Sequence, residues 1–149
     1  MNVVKYKKFD DTKELFLPSY QTDGASGMDL MSIENVVISA NSRMIISTNL
    51  TVEIPQGYEI QIRPRSGLAA KHGITVLNTP GTIDSDYRGE IKVILYNSSN
   101  EDYHIHSGDR IAQMVLAKVE KIILAKIADK DELSVTDRGE GGFGSTGLM

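Results

Sequence analysis

The sequence predicts an all-β domain, a sandwich or barrel of short strands. Two observations carry that expectation: apolar residues recur with a period of two over runs of strand length, and clusters of turn-forming residues separate the runs. A third is that no long amphipathic helical pattern occurs, which sets aside a doubly wound sheet of the Rossmann type.

Leu50 to Ile54 is the first such run and is rich in β-branched side chains, which suit a pleated, half-buried surface. The clearest strand is Tyr58-Glu59-Ile60-Gln61-Ile62-Arg63, with Tyr58, Ile60 and Ile62 on one face and polar groups on the other. Ser66 then reads as the N-cap of a short helix through Leu68 to His72, ended by Gly73. Its free amides would face Arg65 and Ser66, a favourable seat for an anion. Ile91 to Leu95, Arg110 to Leu116 and Lys121 to Leu124 are further apolar runs of strand length. Asn41-Ser42, Pro55-Gln56-Gly57, Asn97 to Asn100 and Ser107-Gly108-Asp109 supply the turns.

The chain has 149 residues, 40% hydrophobic and 24% charged, enough for one domain with its own core. A net charge of -4 argues against a general nucleic-acid binder, which needs a basic surface, but a small anionic substrate needs only a few local cations. With no cysteine, disulfides, thiolate metal sites and cysteine nucleophiles are all excluded. Met1 to Asp10 is polar and mixed in charge, unlike a signal peptide. No apolar run reaches the roughly 20 residues that span a bilayer, so no membrane association and a cytoplasmic location are expected.

Residues 1–137 read as the β-rich domain and 138–149 as a flexible glycine-rich arm. In the arm, Gly139, Gly141 and Gly144 satisfy G-x-G-x-x-G, but too few residues follow for the helix that a dinucleotide site requires. The P-loop reading fails for the same reason and lacks its lysine. Arg138 and Phe143 nevertheless exceed the needs of a linker: a guanidinium, an aromatic ring and flexible amides suit a nucleotide's charge, base and phosphates. In Asn78 to Glu90, a polar connection leading into a strand, Asp84 follows apolar Ile83, and a shielded, oriented carboxylate can take a proton from water. Asp86 is its neighbour and rival, better read as a solvated turn residue. His104 and His106 alternate on one strand face, but zinc needs a third ligand that the sequence does not place nearby.

Taken together, Ala25 to Leu30, Pro64 to Ala69, Gly81 to Glu90, Gly108 to Met114 and Arg138 to Gly147 resemble the five ordered motifs of the trimeric dUTP pyrophosphatases. The resemblance covers nearly the whole chain. It implies a distorted jelly-roll or β-barrel-like subunit, a threefold homotrimer with shared active sites, and hydrolysis of dUTP to dUMP and pyrophosphate. That activity would limit uracil incorporation into DNA and supply dUMP for thymidylate synthesis. It implies that Asp84 activates water, that Asn78 with the backbone of Thr82 and Ile83 reads uracil, and that Tyr87 packs on deoxyribose. Arg65, Ser66, Gly67 and Gln113 match phosphate-binding positions, with Lys92 a further substrate contact. Arg138, Phe143, Gly144, Ser145 and Thr146 match the arm that folds over bound nucleotide. The implied cofactor is Mg2+ on the triphosphate oxygens, with Asp29 touching it through water. A dCTP deaminase of the same fold fits less well, since its third motif and catalytic glutamate are not found. A binding protein that has lost turnover is disfavoured by the intact Asp84, Arg138 and Phe143.

Overall fold

Alternating apolar and polar side chains force extended backbone wherever one face must be buried, and the computed structural model, which describes residues 1–148, has ten strands and one short helix. In chain order these are β1 (Lys5–Lys8), β2 (Met28–Met31), β3 (Val36–Ile38), β4 (Arg43–Glu53), β5 (Tyr58–Arg63), α1 (Ser66–His72), β6 (Ile74–Val76), β7 (Gly81–Ile83), β8 (Ile91–Asn97), β9 (Tyr103–Ile105) and β10 (Arg110–Lys118). The class is all-β, as expected. One four-stranded sheet runs β1-β4-β8-β6, a second runs β2-β10-β5-β7, and β3 pairs with β9. Every pairing is antiparallel.

The core lies between the inward faces. Leu30 and Ile60 from one sheet meet Ile46, Ile91 and Leu95 from the other, all at 0–1% exposure. On β8 the period of two is complete: Ile91, Val93, Leu95 and Asn97 are buried, while Lys92, Ile94 and Tyr96 face outward. Burying such side chains stabilises the fold by roughly 1.5–3 kcal/mol each before chain entropy is counted.

β4 is interrupted where its register against β8 slips. Ser47 lies opposite Lys92 and Leu50 opposite Ile91, so Thr48 and Asn49 are two extra residues on β4, a bulge. Asn49 takes the left-handed conformation (φ 59°), which Asn tolerates better than other side chains. It is only 1% exposed. Its side-chain amide donates to the carbonyls of Asp10 (3.1 Å), Lys13 (3.2 Å) and Glu14 (2.9 Å), and its Oδ1 accepts from the Asp10 amide (2.8 Å). Its own backbone amide donates to Glu90 Oε1 (2.9 Å). Thr48 Oγ1 donates to the Ile91 carbonyl (2.6 Å). One bulge therefore fastens the segment after β1, the middle of β4 and the start of β8.

Two local expectations are corrected. The helix is capped at its start by Arg65 in extended conformation with no side-chain hydrogen bond to the helix, and Ser66 is the first helical residue rather than the cap. Its end is as expected, with Gly73 at φ 66° closing on the carbonyls of Ala69 and Leu68. Lys121 to Leu124 does not form a strand. The chain leaves the sheet after Val119, whose amide donates to the Gly57 carbonyl (2.9 Å), and Ile122, Ile123 and Leu124 are 81%, 95% and 90% exposed. An apolar run makes a strand only where an edge is free to receive it, and this run reaches none in its own chain. His104 lies on β9 and His106 just beyond it, both exposed.

Replacing Asn49 by Ala removes the amide's bonds and strains the backbone. We expect a loss of about 2–4 kcal/mol in urea unfolding at fixed protein concentration. Asn49→Gly, which suits the conformation but lacks the amide, should lose less.

Candidate active site

The connection from β6 to β8 carries most of the motif residues. β6 and β8 pair as the two arms of a wide hairpin, with Ile74 opposite Asn97 and Val76 opposite Leu95. Between them the chain crosses to the other sheet, where β7 pairs with β5, Gly81 opposite Ile62 and Ile83 opposite Ile60. Gly81 suits that crossing, because a Cβ there would sit tightly, 3.2 Å from the Ile62 Cβ. The connection thus bridges both sheets, and a cavity of about 340 Å3 opens beneath it. Asn78, Thr82, Ile83, Asp84 and Tyr87 line it from the connection, and Lys92 and Ile94 from the outer side of β8.

A turn follows β7, closed by the Tyr87 amide donating to the Asp84 carbonyl (3.1 Å). Arg88 Nη1 ties it from behind, donating to the carbonyls of Ser85 (2.8 Å) and Tyr87 (3.0 Å). The Tyr87 hydroxyl donates to the Glu90 carbonyl (2.8 Å). Glu90 also holds Lys92, with 3.7 Å between its Oε2 and Nζ, while its Oε1 takes the Asn49 amide. Asp84 stands at the corner of this turn and is exposed on the single chain, not shielded. The corner position itself explains this, since the turn lifts the residue away from Ile83 and the sheet. Asp86 is exposed as well.

Cations and amides gather elsewhere, along β10. In register across the second sheet lie Asp29 of β2, Gln113 of β10 and Arg63 of β5. Asp29, 17% exposed at its side chain, is gripped by two guanidinium groups: Arg65 Nε at 3.2 Å from Oδ1 and Arg110 Nε at 3.7 Å from Oδ2. Arg65 also donates to the Arg110 carbonyl (3.3 Å), and Gln113 Nε2 donates to the Pro64 carbonyl (3.0 Å). Arg65, Gln113 and the exposed Ser66 and Gly67 therefore form one group around the start of α1. None of the four lines the cavity under the hairpin.

The arm residues form a third group. Arg138 donates to the Gly141 carbonyl (2.8 Å), and the other hydrogen bonds of the arm are short turns among its own residues and to Thr136. Phe143 is fully exposed, and Gly144, Ser145 and Thr146 are exposed in the single chain. Met149, the last residue of the expected arm, lies outside the described residues.

Among the described residues, no group of three or more His, Cys, Asp or Glu side chains is placed to hold a metal ion. Magnesium commonly takes one or two carboxylates plus substrate phosphates and keeps several waters. Asp29, already occupied by Arg65 and Arg110, fits a contact to such an ion through water rather than direct ligation. Nor is any helix among the described residues long and apolar enough to cross a membrane.

The profile of the dUTPase family matches residues 13–147. The chain belongs to the dUTPase family. It is 60% identical over 144 residues to the deoxyuridine 5'-triphosphate nucleotidohydrolase of Nautilia profundicola, covering 97% of this chain and 98% of that one. With the protein of the same description from Helicobacter hepaticus the identity is 53% over 145 residues, covering 97% and 89%. Among solved structures, the Staphylococcus bacteriophage 80alpha dUTPase with dUpNHpp superposes with a TM-score of 0.86 at 26% identity, covering 99% of this chain and 100% of that one.

Three residues gain importance that the sequence did not assign: Glu90, Asn49 and Arg110. For Asn49 a local signal exists, since an Asn between two β-branched runs marks a bulge or turn. Glu90 and Arg110 become visible only through their partners in space. Gly27 is explained as well. A Cβ there would fall 2.8 Å from Gln113 Oε1 and 3.1 Å from the Met114 carbonyl. In a dUTPase-family chain that matches its relatives nearly end to end, Gly27→Ala should push β2 off β10 and displace Gln113. We expect about 1–3 kcal/mol of destabilisation, read from the denaturation midpoint.

Proposed function

We propose that the chain hydrolyses dUTP to dUMP and pyrophosphate, and that Asp84 is the general base of the reaction. The observation that carries the residue assignment is that Asn78, Thr82, Ile83, Asp84 and Tyr87 line one cavity beneath the β6–β8 connection. Asn78 and the backbone of Thr82 and Ile83 face uracil, whose donor and acceptor pattern cytosine reverses. A site built for such hydrogen bonds rejects the wrong partner because its own groups are left unpaired, by 10⁴-fold or so. Tyr87 lies against deoxyribose, where an added hydroxyl collides with the ring. Asp84 takes a proton from water, the water oxygen bonds to the α-phosphorus in line, and the bridging bond to the β-phosphate breaks to release pyrophosphate. Arg65, Ser66, Gly67 and Gln113, with Lys92 as a further contact, meet the phosphates with charge and donors. Mg2+ would sit on the triphosphate oxygens, held to the protein through water at Asp29, and supply additional positive charge there. The activity removes a precursor of uracil in DNA and yields dUMP for thymidylate synthesis.

The Arg65 group does not line the hairpin cavity of its own chain, which supports a site completed between copies. The exposed Ile122, Ile123 and Leu124 support the same reading, since an apolar run of that kind is stable only when another surface covers it. A threefold homotrimer with shared sites accounts for both. The arm, residues 138–149, closes over bound nucleotide: Phe143 stacks on the base, and Arg138, Gly144, Ser145 and Thr146 meet phosphate. Ordering it costs on the order of 1 kcal/mol per residue, which the triphosphate's contacts must exceed.

Asp84→Asn is expected to keep dUTP binding and lose 10²–10⁴-fold in turnover, in the usual range for a general base. Turnover above about a tenth of wild type would remove Asp84 from the role. Truncation after Asp137 should leave a trimer by light scattering with little activity. A fully active truncated chain would make the arm dispensable.

A further inference from the structure

We propose that Gly89 is a positioning residue for sugar selectivity: its bare backbone, with the Glu90 carbonyl, forms the seat that holds the Tyr87 ring at the cavity wall. The proposal rests on the reading of Tyr87 as the ring against deoxyribose.

The seat has two parts. The Glu90 carbonyl accepts the Tyr87 hydroxyl at 2.8 Å and fixes the far end of the ring. Gly89 lies against the ring itself. A Cβ on Gly89 would meet the Tyr87 hydroxyl and, at 2.5 and 3.0 Å, Tyr87 Cζ and Cε2. All three of the nearest atoms are Tyr87's. The backbone offers no second reason for glycine, because Gly89 is not among the residues of positive φ and alanine can adopt its conformation. The other end of Tyr87 is already fixed, with its amide on the Asp84 carbonyl (3.1 Å) and its carbonyl taken by Arg88 Nη1 (3.0 Å). An added methyl is therefore relieved most cheaply by the side chain: the ring rotates off the seat, the hydroxyl leaves Glu90, and the wall against the sugar moves. Glu90 is itself held through its carboxylate by the Asn49 amide, so the seat is anchored in β4.

The test compares kcat/KM for dUTP and UTP in the wild type, Gly89→Ala, Tyr87→Ala, Tyr87→Phe and the double variant Gly89→Ala with Tyr87→Ala. Gly89→Ala and Tyr87→Ala should each lower the preference for dUTP by about tenfold or more, the scale on which a misplaced wall acts. Tyr87→Phe, which lacks the hydroxyl bond, should lower it by less. In the double variant the added methyl should cost nothing further, because the ring it displaces is gone. If Tyr87→Ala keeps full preference, Tyr87 does not face the sugar and the proposal falls with that reading. If Tyr87→Ala loses preference while Gly89→Ala keeps it, the seat alone is overturned. Additive losses in the double variant would likewise overturn action through the ring. Should Gly89→Ala not fold, Tyr87→Phe decides, and unchanged preference there overturns the seat.

Discussion

The Asn49 amide and the Glu90 carboxylate meet at the point where the segment after β1, the middle of β4 and the start of β8 are fastened together. β4 carries two residues more than β8 there, and a ladder with such a mismatch must spend its surplus backbone groups on something. Asn49 spends its own on the Phe9 amide, which its carbonyl accepts, and on Glu90, while its side chain reaches residues 10–14. Leaving a buried polar group of this kind unpaired costs about 1–3 kcal/mol, so the bonds act together or not at all. Because Glu90 directly precedes β8, the same contact fixes where the connection carrying Asp84 and Tyr87 lands on the sheet. The geometry of the cavity is thus inherited from a bulge on a strand that contributes no charged group to it.

Much of the fold was legible because it rests on local chemistry. β5 has the bounds that its alternation gives, and β8 and β10 extend the expected runs by only a few residues. Gly73, Gly57 and Gly108 all take positive φ at predicted turns or helix ends. What was not legible depends on partners distant in sequence. β1 is polar and exposed, and it is a strand because Lys5 to Lys8 find the edge of β4 at Glu53 to Leu50. The first half of β4 reads poorly because Arg43 and Ile45 are exposed on a stretch that pairs with β8 alone. Ser66 had the right chemistry for a cap, yet the extended Arg65 took that place with its side chain directed to Asp29.

For the site, the motifs located the residues but not their grouping. Apolar Ile83 favoured Asp84 over Asp86 in the sequence, yet in the fold both are exposed acids of one turn. Cavity and cation cluster emerge as separate groups only when β7 is seen to cross to β5 and β10 is seen to align Asp29 with Gln113. That alignment also tempers the cluster. Asp29 lies between Arg65 and Arg110, orienting both guanidinium planes while cancelling part of their charge. A pre-oriented cation loses less freedom when an anion arrives than a free one would.

The run Ile122-Ile123-Leu124 bears on the behaviour of the chain while that run is bare. Uncharged, wholly aliphatic with two β-branched isoleucines, and nearly fully exposed, it has the composition of segments that pair with any available strand edge. Lys121 and Lys126 bracket it, both exposed, and charges at the ends of such a run oppose stacking of identical segments. The flanking lysines thus act as gatekeepers, tolerating the many contacts a correct surface offers while penalising a bare sheet of like chains. Neutralising both lysines would remove that opposition and favour pairing of bare strands between like chains.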